Sequence, residues 1–209
     1  EYGIHESRRD AAVAQALEAQ GLGFYRYLDQ LLFQPGSVLT KTGTYFQVFS
    51  QFRKACLTHL SISLPACEPV PAAQAPLGIT SDPIPTTVTG FPRPTDYLRA
   101  LWPAGEAFAQ RRLAAFVEDD LNEYHQRRDL PAEPGTSQLS AYLAAGVISP
   151  RQCLHAALRC NQGEFESGNP GAVTWINELL WREFYKHILV GYPRVSRHRA
   201  FRPDTEAVA

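Results

Sequence analysis

Apolar residues recur at three- and four-residue intervals in several stretches of the chain, and capping residues mark where most of these stretches begin and end. The pattern predicts helices over residues 6–20, 46–60, 106–128, 135–146, 150–160 and 170–191. The last of these follows the capping residue Asn169 with Pro170 in its first turn, and Gly191 and Pro193 end it. It also carries the densest mixture of aromatic and charged residues in the sequence, so it is the first place to look for a site.

Two short apolar or aromatic runs, residues 23–27 and 31–33, are suited to β-strands, and a Pro35-Gly36 turn follows them. Nine prolines lie between residues 65 and 103, which prevents a sustained helix and indicates an interdomain linker. The predicted fold class is therefore α+β. Residues 1–64 form the C-terminal part of an α/β, Rossmann-like domain, residues 65–104 the linker, and residues 105–209 the N-terminal part of an all-α domain.

The composition is that of a folded soluble protein, because 44% of the 209 residues are hydrophobic and only 20% are charged. The sequence contains no Met and opens inside a structural element, so we expect an internal fragment of a longer protein. It shows neither a signal peptide nor a transmembrane run. The four cysteines lack metal-type spacing, which predicts no metal site and favours the reducing cytoplasm.

The net charge of -1 gives no overall attraction to nucleic acid, but basic residues are concentrated near the end of the chain. Glu183 is the only acid among them. This local cluster is a candidate phosphate-binding surface, and the alternative is a solvated face balanced by acids elsewhere. Its members are Arg182, Lys186, His187, Arg194, Arg197, His198, Arg199 and Arg202.

Helical spacing over residues 170–191 brings an indole, a carboxylate and a guanidinium to one face. Trp175, Glu178 and Arg182 share that face, and Trp181 lies beside it. The alternative is a core helix with an ordinary ion pair between Glu178 and Arg182 at i, i+4.

A second candidate lies at residues 135–140, where two hydroxyl groups and several unpaired backbone N–H groups meet at a predicted helix N-terminus. The helix dipole there favours an anion, so a phosphate fits. Simple capping by Thr136 or Ser137 is the alternative. Arg128, a few residues upstream, adds a cation to the region unless it belongs to an exposed charge pair.

Taken together, residues 124–129, 135–140, 149–153 and 175–185 resemble, in order and spacing, the start of the flavin-binding helical domain of the DNA photolyase and cryptochrome family. Bacterial cyclobutane pyrimidine dimer photolyases are the most similar members. Residues 2–10 and 43–52 resemble the end of the family's N-terminal α/β antenna domain. Four motifs in the right order are far more specific than any one of them.

The resemblance implies a role for each matching residue. FAD would be held by Tyr124, Thr136, Ser137, Gln138, Leu139, Ser140 and Trp175. Damaged DNA would be contacted by Arg128, Glu178, Trp181, Arg182 and Tyr185, with Glu178 and Trp181 in the catalytic roles. His5 and Glu6 match the pair that contacts a methenyltetrahydrofolate antenna in relatives, although His5 replaces the usual Asn. Gln138 likewise stands where the family commonly has Arg.

The implied activity is that of a deoxyribodipyrimidine photo-lyase. Light excites reduced FAD, an electron passes to a pyrimidine dimer in DNA, the cyclobutane bonds split, and the electron returns. A monomer without membrane attachment is expected. Two alternatives are a cryptochrome-like blue-light receptor and a helical interaction module without cofactor. The combination of Trp181 with Glu178 favours repair, because a receptor does not need a dimer pocket.

Overall fold

The computed structural model describes residues 2–208, with side chains for residues 2–206. Eight α-helices follow one another in this part of the chain. They are α1 (Ile4–Glu18), α2 (Phe49–Ile62), α3 (Asp96–Leu101), α4 (Glu106–Ala115), α5 (Tyr124–Arg127), α6 (Ser140–Ala145), α7 (Pro150–Cys160) and α8 (Pro170–Gly191). A π-helical turn (Phe116–Asp120) and 3-10 turns (Leu121–Glu123, Val195–Arg197, Pro203–Val208) complete the described helical structure.

Helix α8 is the centre of the fold, and α2, α5 and α7 all pack against it. Its start follows from local chemistry, because the Asn169 side chain accepts a hydrogen bond from the Ala172 N–H at 3.0 Å and Pro170 occupies the first turn. Gly171 is required there, since a Cβ atom would collide with the backbone carbonyls of Leu121 and Asn122. The predicted bounds of α7 and α8 are confirmed.

Two predicted β-strands are absent, since the described residues contain no strand. Leu31, Leu32 and Phe33 are buried as the prediction required, but their backbone has no neighbouring strand. Instead, the buried Glu183 carboxylate on α8 accepts hydrogen bonds from the N–H of Leu32 at 3.0 and 3.1 Å and from that of Phe33 at 2.9 Å. A side chain therefore satisfies donors that a sheet would otherwise satisfy.

Two arginines bind carbonyl groups of the same irregular segment. Arg182 donates to the Gln30 carbonyl at 2.6 Å, and Arg151 on α7 donates to the Leu28 carbonyl at 2.8 Å. Together with Glu183, they attach residues 28–33 to the helical core without secondary structure. The α+β prediction is therefore wrong for the described residues, which are helical with irregular connections.

The helix predicted over residues 106–128 is interrupted. It runs as α4 to Ala115, widens into the π-helical turn, tightens into the 3-10 turn and resumes as α5. The apolar stripe still faces the core, because Leu113, Leu121 and Tyr124 are buried. Periodicity identified the buried face correctly and missed the local changes in helical pitch.

Residues 66–100 are exposed throughout, and most of them form no regular structure, as the prolines predict. The exception is the short helix α3, whose first turn is capped by the Thr95 hydroxyl at 3.3 Å from the Leu98 nitrogen. Within the described residues, no helix combines the length and apolar character needed to cross a bilayer.

Replacing Glu183 with Ala should lower the free energy of unfolding by about 3 kcal/mol, because it leaves two buried backbone N–H groups without an acceptor. Urea unfolding measures this change. Glu166→Ala is the control, since Glu166 is exposed and forms only a surface ion pair with Arg53 at 3.1 Å. Equal destabilisation by the two substitutions would show that the carboxylate does not hold this segment.

Candidate functional site

An ion pair joins Arg128, the residue directly after α5, to α8 at the centre of the candidate site. The Arg128 guanidinium lies 2.6 Å from a Glu178 carboxylate oxygen, and both side chains remain about one-third exposed, at 28% and 33%. The hydrogen bond that Arg128 donates to this carboxylate raises the pKa of Arg128 above its usual value. The alternative pair between Glu178 and Arg182 is not formed, because Glu178 pairs with Arg128 instead.

On its buried side, this ion pair lies against a group of aromatic rings. The Tyr124 ring lies 5.5 Å from the Arg128 guanidinium carbon and packs edge-on against Phe116, with 5.6 Å between ring centroids. Phe116 in turn contacts Trp175 at 4.9 Å. Burial raises the pKa of Tyr124. Trp175, predicted to flank a flavin, is thus part of a buried aromatic cluster whose outer member, Tyr124, contacts the ion pair.

The predicted phosphate-binding turn lies next to α5. The backbone of Gly135 packs so closely on Arg127 that an added Cβ would lie 2.5 Å from the Arg127 Cβ. Helix α6 begins later than predicted, at Ser140, and its N-terminus has no side-chain cap. The sequence pattern failed here because Gln138 adopts a left-handed backbone conformation, with φ of 49°, which ends any helical run before Ser140.

The hydroxyl groups of this turn are open to a ligand. Among the described residues, those of Thr136, Ser137 and Ser140 have no hydrogen-bond partner, and Thr136 and Ser140 are exposed. Leu139, by contrast, is buried in the core and anchors the turn. Free hydroxyls next to an uncapped helix N-terminus are suited to a phosphate or diphosphate group.

Arg112 brings a cation to the same turn, and the sequence pattern did not reveal it. Its guanidinium donates to the Gln138 side-chain oxygen at 2.9 Å and to the Leu101 carbonyl at 2.7 Å. Sequence reasoning missed Arg112 because it belongs to α4, far from the motif. Arg112, from the neighbouring helix α4, therefore supplies a positive charge that the Gln138 side chain does not carry.

Trp181 lies on α8, one turn beyond Glu178, and is partly buried. The Phe49 ring of α2 stacks on it, with 3.6 Å between centroids and 9° between planes. Tyr185 lies near the same indole at 5.6 Å and is 60% exposed. The three rings form one aromatic group that reaches the surface at Tyr185.

The Arg182 side chain binds backbone carbonyl groups, unlike the other residues predicted to contact DNA. Besides its bond to the Gln30 carbonyl, it approaches the Leu143 carbonyl at 3.4 Å, and burial lowers its pKa. It therefore supports the backbone that surrounds the site. The basic cluster is also weaker than predicted, because Glu206 contacts Arg194 at 2.8 Å and Arg199 at 3.7 Å.

A separate cavity of about 710 Å³ lies between α1, residues 24–28 and the end of α8. Ile4, Ser7, Leu189 and Ser196 are among the residues that line it. His5 and Glu6, the predicted antenna residues, lie on the first turn of α1 between two lining residues, with His5 exposed and Glu6 folded back against Gly3.

Sequence comparison connects the chain to a known family. The family model for DNA photolyase matches residues 1–74. The deoxyribodipyrimidine photo-lyase of Salmonella typhimurium is 38% identical over 212 residues and that of Escherichia coli is 36% identical over 208 residues, each alignment covering 100% of this chain. The chain spans 43% of the length of both relatives.

Solved structures give the same grouping. A bacterial class III photolyase from Agrobacterium tumefaciens superimposes with a TM-score of 0.74 at 26% identity, covering 100% of this chain and 43% of the other. A cryptochrome from Synechocystis superimposes with a TM-score of 0.76 at 25% identity, covering 92% of this chain and 40% of the other.

The contact between Arg128 and Glu178 should appear as a coupling of about 0.5–1 kcal/mol in a double-mutant cycle for unfolding, because both groups are partly solvated. The cycle uses Arg128→Ala, Glu178→Ala and the double variant in urea. The coupling should decrease at high ionic strength. A matched cycle for Arg127 and Glu133, 3.3 Å apart at a more exposed site, should give a smaller value; strictly additive effects of Arg128→Ala and Glu178→Ala would contradict the pairing.

Proposed function

The chain belongs to the DNA photolyase and cryptochrome family, and on this premise we propose that its protein repairs cyclobutane pyrimidine dimers in DNA by light-driven electron transfer from FAD. The observation that carries this proposal is the convergence of three separate segments. Arg128, directly after α5, meets Glu178 from α8 at 2.6 Å, while the turn at Gly135 packs on the neighbouring Arg127. This supports a proposed base-binding face beside a proposed phosphate-binding turn.

The turn is proposed to hold the FAD diphosphate through the hydroxyls of Thr136, Ser137 and Ser140, with Leu139 as its buried anchor. Tyr124 and Trp175 are proposed to form the aromatic wall beside the cofactor. When bound, FAD supplies the light-driven one-electron chemistry that opens the dimer. The contribution of Arg112 is a fixed positive charge at the Gln138 position.

The residues proposed to bind DNA are Arg128, Glu178, Trp181 and Tyr185. Arg128 donates to Glu178 through one guanidinium nitrogen, Nη1, so its other N–H groups can bind a DNA phosphate while the pair persists. Glu178, when protonated, can donate a hydrogen bond to a carbonyl oxygen of the extruded base, where negative charge develops. Phosphate binding and base recognition are thus proposed to take place side by side.

A blue-light receptor is the second candidate function, and the similarity to the Synechocystis cryptochrome supports it. The ion pair and the aromatic group at Trp181 favour repair, since they supply both a phosphate-binding cation and a base-stacking ring. A flavin-containing protein without dimer repair would favour the receptor.

The cavity of about 710 Å³ is the proposed antenna site. Its volume suits a cofactor the size of methenyltetrahydrofolate. His5 and Glu6 are proposed to contact the antenna from the first turn of α1, Glu6 after its side chain moves away from Gly3. A cytoplasmic location and a monomeric state stay predictions.

Blue-light repair of a thymine-dimer oligonucleotide should decrease strongly in Glu178→Ala and Trp181→Ala. Loss of the stacking ring should also weaken dimer binding about tenfold, in keeping with the 1 to 3 kcal/mol that one stacked base contributes. Steady-state repair rates and binding titrations on the full-length protein measure both effects.

Two substitutions serve as controls for repair. Glu118→Ala removes an exposed acid and Tyr97→Ala an exposed ring, each outside the proposed site. Both should leave repair unchanged. Wild-type repair by the Glu178 and Trp181 variants would rule out the proposed base-binding face.

Arg112→Gln should reduce FAD affinity about tenfold, because it removes a cation that stabilises the diphosphate through charge-assisted contacts. Fluorescence titration of the apoprotein with FAD measures it. Arg111→Gln is the matched control, since its guanidinium lies over the Phe108 ring at 4.2 Å. Equal FAD affinity in the two variants would exclude Arg112 from the cofactor site.

A further inference from the structure

Helix α2 contacts the candidate site through two residues that lie one turn apart. Phe49 stacks on Trp181, and the Arg53 side chain donates to the Asn177 side-chain oxygen at 2.5 Å. Asn177 and Trp181 are also one turn apart on α8. Each helix thus contributes two residues that are four positions apart. Because the two residues of one helix contact the two residues of the other, one to one, the register of the two helices along the contact is fixed.

The stack between Phe49 and Trp181 has a specific geometry. At 3.6 Å between centroids and 9° between planes, the phenyl ring covers one face of the indole almost fully. That face is closed to any base. Tyr185 also lies against this indole, with 5.6 Å between centroids and 22° between planes, and Tyr185 is exposed. A base must therefore approach Trp181 away from the face that Phe49 covers.

The hydrogen bond from Arg53 makes this arrangement rigid. Arg53 is itself held by Glu166, 3.1 Å away, so its guanidinium bridges two partners. Below the stack, Phe52 packs on Phe184 at 5.4 Å and anchors the same stretch of α2 in the core. The Phe49 ring is therefore held in place and is not free to rotate into solvent.

We propose that Phe49 is a positioning residue for dimer recognition: it sets the ring plane of Trp181 and supports the ring while a pyrimidine dimer packs against the part of the indole that Phe49 leaves uncovered. This inference rests on the proposed function, since it takes Trp181 as the stacking residue. It extends the proposed substrate site to helix α2.

The test compares binding of thymine-dimer and undamaged oligonucleotides by the full-length protein. Phe49→Leu should lower the preference for the dimer about fivefold, the effect expected from losing one aromatic pair, and leave affinity for undamaged DNA unchanged. Phe49→Tyr should restore the preference. Phe46→Leu is the matched control. Among the described residues, Phe46 packs edge-on against Phe52 at 6.1 Å and makes no ring contact with Trp181.

A double variant separates positioning from stability. If Phe49 acts through Trp181, adding Phe49→Leu to Trp181→Ala should cause no further loss of dimer preference, whereas a purely structural role gives equal losses in both backgrounds. Should Phe49→Leu prove unstable, Phe49→Met gives the same comparison, with Phe49→Tyr as the variant that keeps the ring. An unchanged dimer preference in Phe49→Leu would overturn the inference, whereas an unchanged preference in Trp181→Ala would overturn the proposed function itself.

Discussion

The buried carboxylate of Glu183 is the interaction on which the rest of the structure depends. A charged group without solvent is costly unless its oxygens are hydrogen-bonded. Both oxygens here accept from the backbone of Leu32 and Phe33. His187, the nearest basic group, lies 3.7 Å away, and its ring nitrogens have no hydrogen-bond partner in the described residues. The irregular segment and α8 thus require each other, because neither can satisfy its polar groups alone.

This dependence has a geometric consequence for the site. Arg182 and Glu183 are adjacent on α8 and bind the same segment through opposite types of group, one donating to a carbonyl and the other accepting from N–H groups. They restrict rotation of the helix about its axis. Glu178, about one turn earlier, and Trp181, directly before Arg182, are thereby held toward Arg128 and α2. The side chains proposed to contact ligand are thus held by side chains that bind the backbone.

Sequence reasoning succeeded where the determining chemistry is local. Asn169 with Pro170, and Ser149 with Pro150, gave the starts of α8 and α7 because a cap acts within three residues. It failed where the partner is distant. Residues 31–33 have the composition of a strand, yet what pairs with them is a side chain 151 residues away from Leu32. No local pattern contains that information.

The same distinction explains which parts of the site were predictable. Glu178 and Trp181 were grouped by their spacing on one helix, but the residues that contact them, Arg128 and Phe49, come from elsewhere in the chain. Arg128 pairs with Glu178 rather than Arg182, because the backbone carbonyls near α8 already bind Arg182. An i, i+4 ion pair contributes only a few tenths of a kcal/mol. Charge-assisted bonds to partly buried carbonyls are stronger. Arg182 therefore binds the carbonyls, and Glu178 is left to pair with Arg128 at the end of α5.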